Sequence, residues 1–387
     1  MPADGVTLPD ECRPIAAEWK SQRAERQTRR HLEQRDFDAL RDAGFLLGIV
    51  PEDDGGLWRD AAASARPICD TLRLLGSADP AVALVSAMHP AVVSFWLLNP
   101  DGAQPAWEEQ RRAVFASAAA GEQWGTITSE PGSGGDISRT RSTASAVDGE
   151  PFLVGRTYEL TGDKHFGSGS GIAHRMVTTA RPDGEDEPRM FVLDTSDWSP
   201  PGTLAMSMAA EWDGVGMAAT QSHAMRLEAA PAVRLEYDGP LTDVTSGAGS
   251  FVATCFTAVI LGVLDEAIAT AKQQLAGKAE TMRAYEQVEW VRAVNEHWLA
   301  VQAYEGALRA IEREDRAAAL FAALLAKEGV AELAEAALGR LARVIGGGAF
   351  SRRSPFAHWY EDVRALGFLR PPWGLAYDNL FALSFAT

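Results

Sequence analysis

The 387-residue chain is short of cysteine, of positive charge and of membrane-length apolar runs, and each shortage narrows what it can be. Cys12, Cys69 and Cys255 are odd in number and far apart, which implies neither a disulfide framework nor a zinc site and suits a reducing cytoplasm. Lys and Arg total 36 against 53 Asp and Glu, a formal charge of −17. Such a surface repels nucleic acid and anionic membrane. The one dense basic run, Arg23–Arg30, has the charge patterning of a solvated helix face and requires no ligand. The longest apolar stretch, Ala81–Leu98, is interrupted by His89–Pro90 and falls short of the roughly twenty residues of a bilayer span. It reads as a buried helix broken in the middle. The N-terminus lacks the basic-then-apolar layout of a secretory leader. What is abundant is apolar content: at 46% hydrophobic residues, the chain can bury large cores and divide into two or three domains.

Periodicity changes twice along the chain. Ala16–Arg30, Asp36–Ala43, Ala61–Leu75, Ala81–Leu98 and Trp107–Ala119 carry apolar residues at helical spacing. From Gly121 the period becomes two, with strand patterns at Arg141–Val147, Pro151–Leu160, His174–Ala180, Met190–Asp194 and Ala224–Glu228. Helical stripes return at Ser250–Leu275, Met282–Glu314, Arg316–Ile345 and Ser354–Leu366.

Two glycine-punctuated polar runs, Thr128–Asp136 and Gly162–Ser170, bracket the first two of these strand patterns. Turns rich in Gly, Ser and Thr offer backbone N–H groups and hydroxyls, which suit a polar planar ring or a pyrophosphate. Either run alone reads equally well as a hairpin turn. Together they resemble the middle domain of the acyl-CoA dehydrogenase superfamily of flavoproteins. Ser129, Glu130, Pro131, Gly134, Gly135 and Asp136 stand in the places of its Thr-Glu-Pro-x-x-Gly-Ser-Asp loop. Gly162, Lys164, Phe166, Ser168 and Gly169 match its second loop, and Trp212–His223 matches a third signature.

The resemblance implies an α+β fold: an N-terminal helical bundle over 1–120, a central β-barrel-like domain over 121–236 carrying the flavin ring site, and a C-terminal four-helix bundle over 237–387 making flavin and oligomer contacts. It places Trp124, Ile127, Thr128, Ser129, Ser133, Phe166 and Ser168 near flavin. Gly346 and Gly347 resemble a turn that approaches the adenosine end of the cofactor from a neighbouring subunit. Core packing is the rival reading for Trp124 and Ile127, and a plain helix end for the glycine pair. His89 sits inside an apolar helix, where a lone histidine is more often a satisfied core residue. Flavin monooxygenases of the dibenzothiophene type, which share this fold, carry a histidine facing the flavin in the corresponding helix.

Chemistry turns on what is missing near the C-terminus. The dehydrogenases remove an α-proton with a carboxylate, yet no glutamate follows Glu361, and Ser246–Gly249, the other place for that base, has no carboxylate either. The family's diphosphate-binding arginine is replaced by Gln273 or Gln274. The expectation is therefore a monooxygenase that takes reduced flavin, FMN or FAD, from a separate reductase and uses O2 on a small aromatic or heterocyclic substrate. Ser168 would hold flavin N5 and His89 would serve as acid/base. The alternatives are an FAD-dependent acyl-CoA dehydrogenase with a displaced base, and a catalytically silent flavin-binding or assembly paralogue. A cytoplasmic homo-oligomer, dimer or tetramer, is implied, with no metal, nucleic-acid or membrane partner.

Overall fold

In a computed structural model of the chain, residues 7–99, 104–313, 316–369 and 371–385 are described. Six helices come first: α1 (Leu8–Ser21), α2 (Arg23–Arg26), α3 (Gln34–Asp42), α4 (Ala61–Gly76), α5 (Pro80–Leu97) and α6 (Pro105–Ala119). The start of α5 follows from its local chemistry, since the Asp79 carboxylate accepts the Val82 N–H at 3.0 Å and Pro80 occupies the first turn. Apolar residues surround α5 on all sides, so nearly every residue from Ala81 to Trp96 is buried. Contrary to the sequence expectation, α5 runs through Pro90 without a break. Proline removes one helical hydrogen bond, and packing on every face outweighs that loss.

Seven strands follow: β1 (Trp124–Thr126), β2 (Thr143–Ala146), β3 (Thr157–Gly167), β4 (Arg175–Pro182), β5 (Arg189–Asp194), β6 (Met206–Ala210) and β7 (His223–Arg234). Strands β2, β3, β7, β5 and β4 pair in that order, and β4 also pairs with β2, so the sheet closes on itself. Strand β1 adds in parallel to β4, and β6 pairs with β7. Two strand expectations shift. The pattern at 151–160 is realised as β3 at 157–167, which runs on into the second glycine-rich segment, and β6 carried too little alternation to be recognised. Gly162 makes the extension of β3 workable: at its φ of +155° a Cβ would overlap Ser142, and the β3–β7 register slips there.

The chain ends in α7 (Leu241–Leu275), α8 (Ala284–Glu312), α9 (Arg316–Ile345), α10 (Pro355–Gly367) and α11 (Trp373–Ser384). α7 begins nine residues before its apolar stripe, because Gly247 leaves just the space that Asn99 fills against it, with Asn99 Nδ2 donating to Val244 C=O at 3.0 Å. α7 packs on α4, α5, α8 and α9 and so joins the first helices to the last. By length and composition α5 and α7 could each cross a membrane, which the sequence reading did not anticipate. In both, 78% of the apolar window is buried inside the protein, as in core helices. The order of helices, closed sheet and helices is the α+β architecture expected.

Candidate active site

The two glycine-rich segments are tied together by a buried ion pair. Lys164 follows the inward register of Tyr158 and Leu160 along β3, so its ammonium enters the sheet interior. There Lys164 Nζ donates to Glu130 Oε1 at 2.6 Å and to Thr179 C=O at 2.5 Å. The Glu130 carboxylate also accepts from Arg141 N–H at 2.6 Å, from Ser142 Oγ at 2.7 Å and from the Thr140 hydroxyl. Burial alone would raise the Glu130 pKa, but Lys164 and these donors outweigh it and hold the carboxyl down at about 2. A backbone bridge continues the clamp, His165 N–H donating to Ser129 C=O at 2.8 Å.

Immediately after the clamp the backbone turns sharply. Phe166 takes φ +60°, costly for a side-chain-bearing residue, and its ring projects outward, 57% exposed, with the Trp212 ring 6.0 Å away. Ser168 lies beneath, 4% exposed. Its hydroxyl meets Ser222 Oγ at 2.8 Å, Ser222 Oγ meets Thr220 Oγ1 at 2.7 Å, and Thr220 Oγ1 donates to Met217 C=O at 2.8 Å. Gly169 N–H donates to Thr220 C=O, and Gln221 Nε2 to Ser170 C=O, which locks the second and third segments together. A side chain at Gly169 would press on Val85 of α5, at 2.7 Å from Cγ1.

The last two helices close over these segments. Pro372, entering α11, sits where a Cβ on Gly135 would come within 2.5 Å, and Asp362 of α10 accepts the Met217 N–H at 2.6 Å. Burial pushes the Asp362 carboxyl up to about 7, with Asp79 and Glu361 adding to the rise and the Met217 N–H opposing it. A carboxyl that titrates higher in the native protein favours folding below its unfolded value, and that contribution is lost as pH rises through about 7. Asp362→Asn keeps an oxygen for Met217 and removes the charge. Urea unfolding should find the variant gaining on the parent by ~3 kcal/mol between about pH 4 and pH 8; a difference independent of pH would show that Asp362 bears no such penalty.

The expected site residues separate into two groups. Phe166, Ser168, Ser129 and Ser133 belong to the paired segments, Ser133 closing its own turn through Glu130 C=O at 3.0 Å and Gly135 N–H at 3.2 Å. Thr128 is buried one residue before the bridge. Trp124 and Ile127 instead lie in the core. The Trp124 indole packs edge-on against Trp96 at 5.3 Å and donates to Ser117 Oγ, and Ile127 fills the sheet interior beneath Gly167. Neither side chain shapes an open surface, which corrects the ring-site role expected of Trp124.

His89 is corrected on the same ground. Its Nε2 faces Leu46 C=O at 3.1 Å and must donate there, so Nδ1 is the nitrogen that accepts the Trp124 N–H at 3.2 Å. Full burial lowers its pKa to about 4 and keeps the ring neutral. Both nitrogens are engaged by backbone, leaving none for acid/base work. Gly346 and Gly347 end α9, Gly346 N–H donating to Ala342 C=O with φ +84°, and nothing lies within 4 Å of a Cβ placed on either.

Sequence reasoning treated Glu130, Lys164, Thr220 and Ser222 as motif landmarks and assigned them no role. A signal for the clamp was present, because a lysine on the inward face of an alternating strand demands a buried carboxylate. The hydroxyl chain had no such signal, since it joins β3 to the segment before β7 across 54 residues of sequence.

The arrangement can be compared with known proteins. No family model matches the chain. The amino sugar nitrososynthase DnmZ of Streptomyces peucetius is 24% identical over 357 residues, covering 87% of this chain and 82% of that protein. The probable FMNH2-dependent monooxygenase SfnC of Pseudomonas putida is 24% identical over 273 residues, 67% of this chain and 60% of that one. Among solved structures, FMN-bound TdsC from Paenibacillus sp. A11-2 superposes with a TM-score of 0.80 at 19% identity, covering 98% of this chain and 97% of TdsC. The chain has the acyl-CoA dehydrogenase-like fold. The segments at 128–136, 166–170 and 212–223, for which the sequence resemblance implies a flavin ring site, converge in the structure. The residues present suit one: an outward aromatic ring, a hydroxyl beside it, and a first segment whose Gly134 has nothing within 4 Å of a Cβ position.

Proposed function

We propose that the protein is a flavin-dependent monooxygenase that uses reduced FMN and O2 on a small organic substrate. The carrying observation is the pairing of Phe166 and Ser168 on a rigid turn with the absence of an available carboxylate where α10 and α11 meet it. Among the described carboxylates there, Asp362 is committed to Met217 N–H, Glu361 pairs with Arg364, and Asp378 is exposed on α11. The sequence offers no carboxylate at either position where the dehydrogenases carry their base, which disfavours the dehydrogenase alternative. FMN is favoured over FAD because DnmZ, SfnC and TdsC include an FMNH2-dependent enzyme and an FMN-bound one.

The balance is FMNH2 plus O2 plus substrate giving FMN, water and a product with one oxygen atom added. When bound, reduced flavin supplies the electrons that split O2. The chain's own residues orient and shield. Phe166 offers a flat apolar face, Ser168 a hydroxyl fixed from behind, and the Glu130–Lys164 clamp keeps both segments in register. A separate reductase delivering FMNH2, a cytoplasmic setting in keeping with three buried free cysteines, and assembly as a homo-oligomer complete this reading. The test is stopped-flow absorbance of protein preloaded anaerobically with FMNH2 and mixed with oxygenated buffer. A near-ultraviolet transient before the oxidised-flavin spectrum is expected. Oxidation at the rate of free FMNH2 would count against the proposal.

A further inference from the structure

The three hydroxyls behind the turn form a chain whose proton order is forced. Ser168, Ser222 and Thr220 have three hydroxyl hydrogens for three contacts of 2.7–2.8 Å, and the last contact ends on the Met217 carbonyl, which can only accept. Thr220 therefore donates to Met217, Ser222 to Thr220, and Ser168 to Ser222. Reversing any link would leave one of the three contacts, at 2.7–2.8 Å, with no proton between its two oxygens. The end of the chain is itself pinned, because the Met217 carbonyl also accepts the Trp212 Nε1–H at 2.9 Å and its N–H is held by Asp362. Met217 is kept at φ +52° and Gln221 at φ +48° on either side of Thr220, conformations that persist only where surrounding bonds impose them.

With its own proton committed inward, Ser168 has only lone pairs to offer a ligand. Flavin N5 carries a hydrogen when the flavin is reduced and a lone pair when it is oxidised. We propose that the Thr220–Ser222–Ser168 chain makes the site select the redox state of its cofactor, accepting the N5–H of reduced flavin and opposing the N5 lone pair of the oxidised form. This rests on the flavin site proposed above. Thr220 and Ser222 are positioning residues: both are buried, and they act through Ser168. The consequence is directional traffic, with FMNH2 captured and FMN released after turnover, as an enzyme served by a separate reductase requires.

The experiment measures dissociation constants for FMN and, anaerobically, for FMNH2 in the parent, Thr220→Val, Thr220→Ser and Ser222→Ala proteins, with the reduction potential of bound FMN as an independent readout. The parent should bind FMNH2 about tenfold more tightly than FMN. Thr220→Val releases the polarity, so Ser168 can turn its proton outward, and the preference should fall about fivefold, the worth of one hydrogen bond. Ser222→Ala, which breaks the chain at a second point, should do the same, while Thr220→Ser should retain the parent preference. A role in packing alone would weaken both flavin forms equally, and an unchanged ratio in folded Thr220→Val and Ser222→Ala would overturn the inference. Failure of the parent to bind either flavin form would instead overturn the site reading itself.

Discussion

Replacing Lys164 by Met is expected to destabilise the protein by about 3–5 kcal/mol, the cost of leaving a buried carboxylate without its cation. Lys164 has no exposed surface, and among the described residues its ammonium is the side-chain cation that meets Glu130, which also accepts from backbone and hydroxyl groups. Urea unfolding gives the loss. Lys164→Met combined with Glu130→Gln should recover part of it, because the orphaned charge goes as well; a double variant no better than the sum of its parts would show that the two groups are not coupled. FMN affinity should fall at least tenfold in the single variant, since the clamp holds Ser129 against His165 and thereby sets the segment carrying Phe166. The pair also predicts an acid limb. Glu130 is held at about 2, below its unfolded value, so its contribution is complete above roughly pH 4.5 and is lost as pH falls toward 2. Glu130→Gln should flatten that limb.

His89→Ala is expected to lower stability by ~2–4 kcal/mol, combining the cavity left by a buried ring with a Trp124 N–H deprived of its acceptor. Leu46 C=O and Trp124 N–H are joined only through the imidazole, which links the turn after α3 to the first strand. Flavin binding by the folded variant should change little. Thermal melting and FMN titration together decide the matter: a variant as stable as the parent but inactive would return His89 to the acid/base role. The same ring predicts its own pH behaviour. Its native pKa of about 4 lies below the unfolded value near 6.5, so the unfolded chain binds the proton first and acid through that window weakens the fold.

The contrast between His89 and Lys164 shows where reading the chain stopped. Both are polar residues buried in the fold, His89 in an apolar run and Lys164 on the inward face of a strand, and both demanded a partner. For His89 the partners are backbone atoms of Leu46 and Trp124, which carry no residue-type signature and can be named only when the chain is folded. Trp124 failed as a ring-site candidate for a related reason: a tryptophan at a strand start reads the same whether it faces a cofactor or, as here, Trp96. Phe166 and Ser168 could be singled out from the chain because three motif segments occur together, whereas the turn holding them would by itself read as an ordinary hairpin.

What the sequence by itself determined is the succession of periods, 3.6 then 2 then 3.6, and with it the order of helices, sheet and helices, since burying one face of each element follows from local spacing alone. It also determined the three motif segments and the lack of a C-terminal carboxylate base. Only the tertiary structure decided that β3 runs on into the second segment, that α5 passes unbroken through Pro90, and that Ser168, Ser222, Thr220 and Met217 form one directed chain. The physical reason is the same in each case. These outcomes depend on which groups meet after distant segments pack, and hydrogen-bond direction is set by the terminal acceptor, a carbonyl that every residue possesses and no sequence marks.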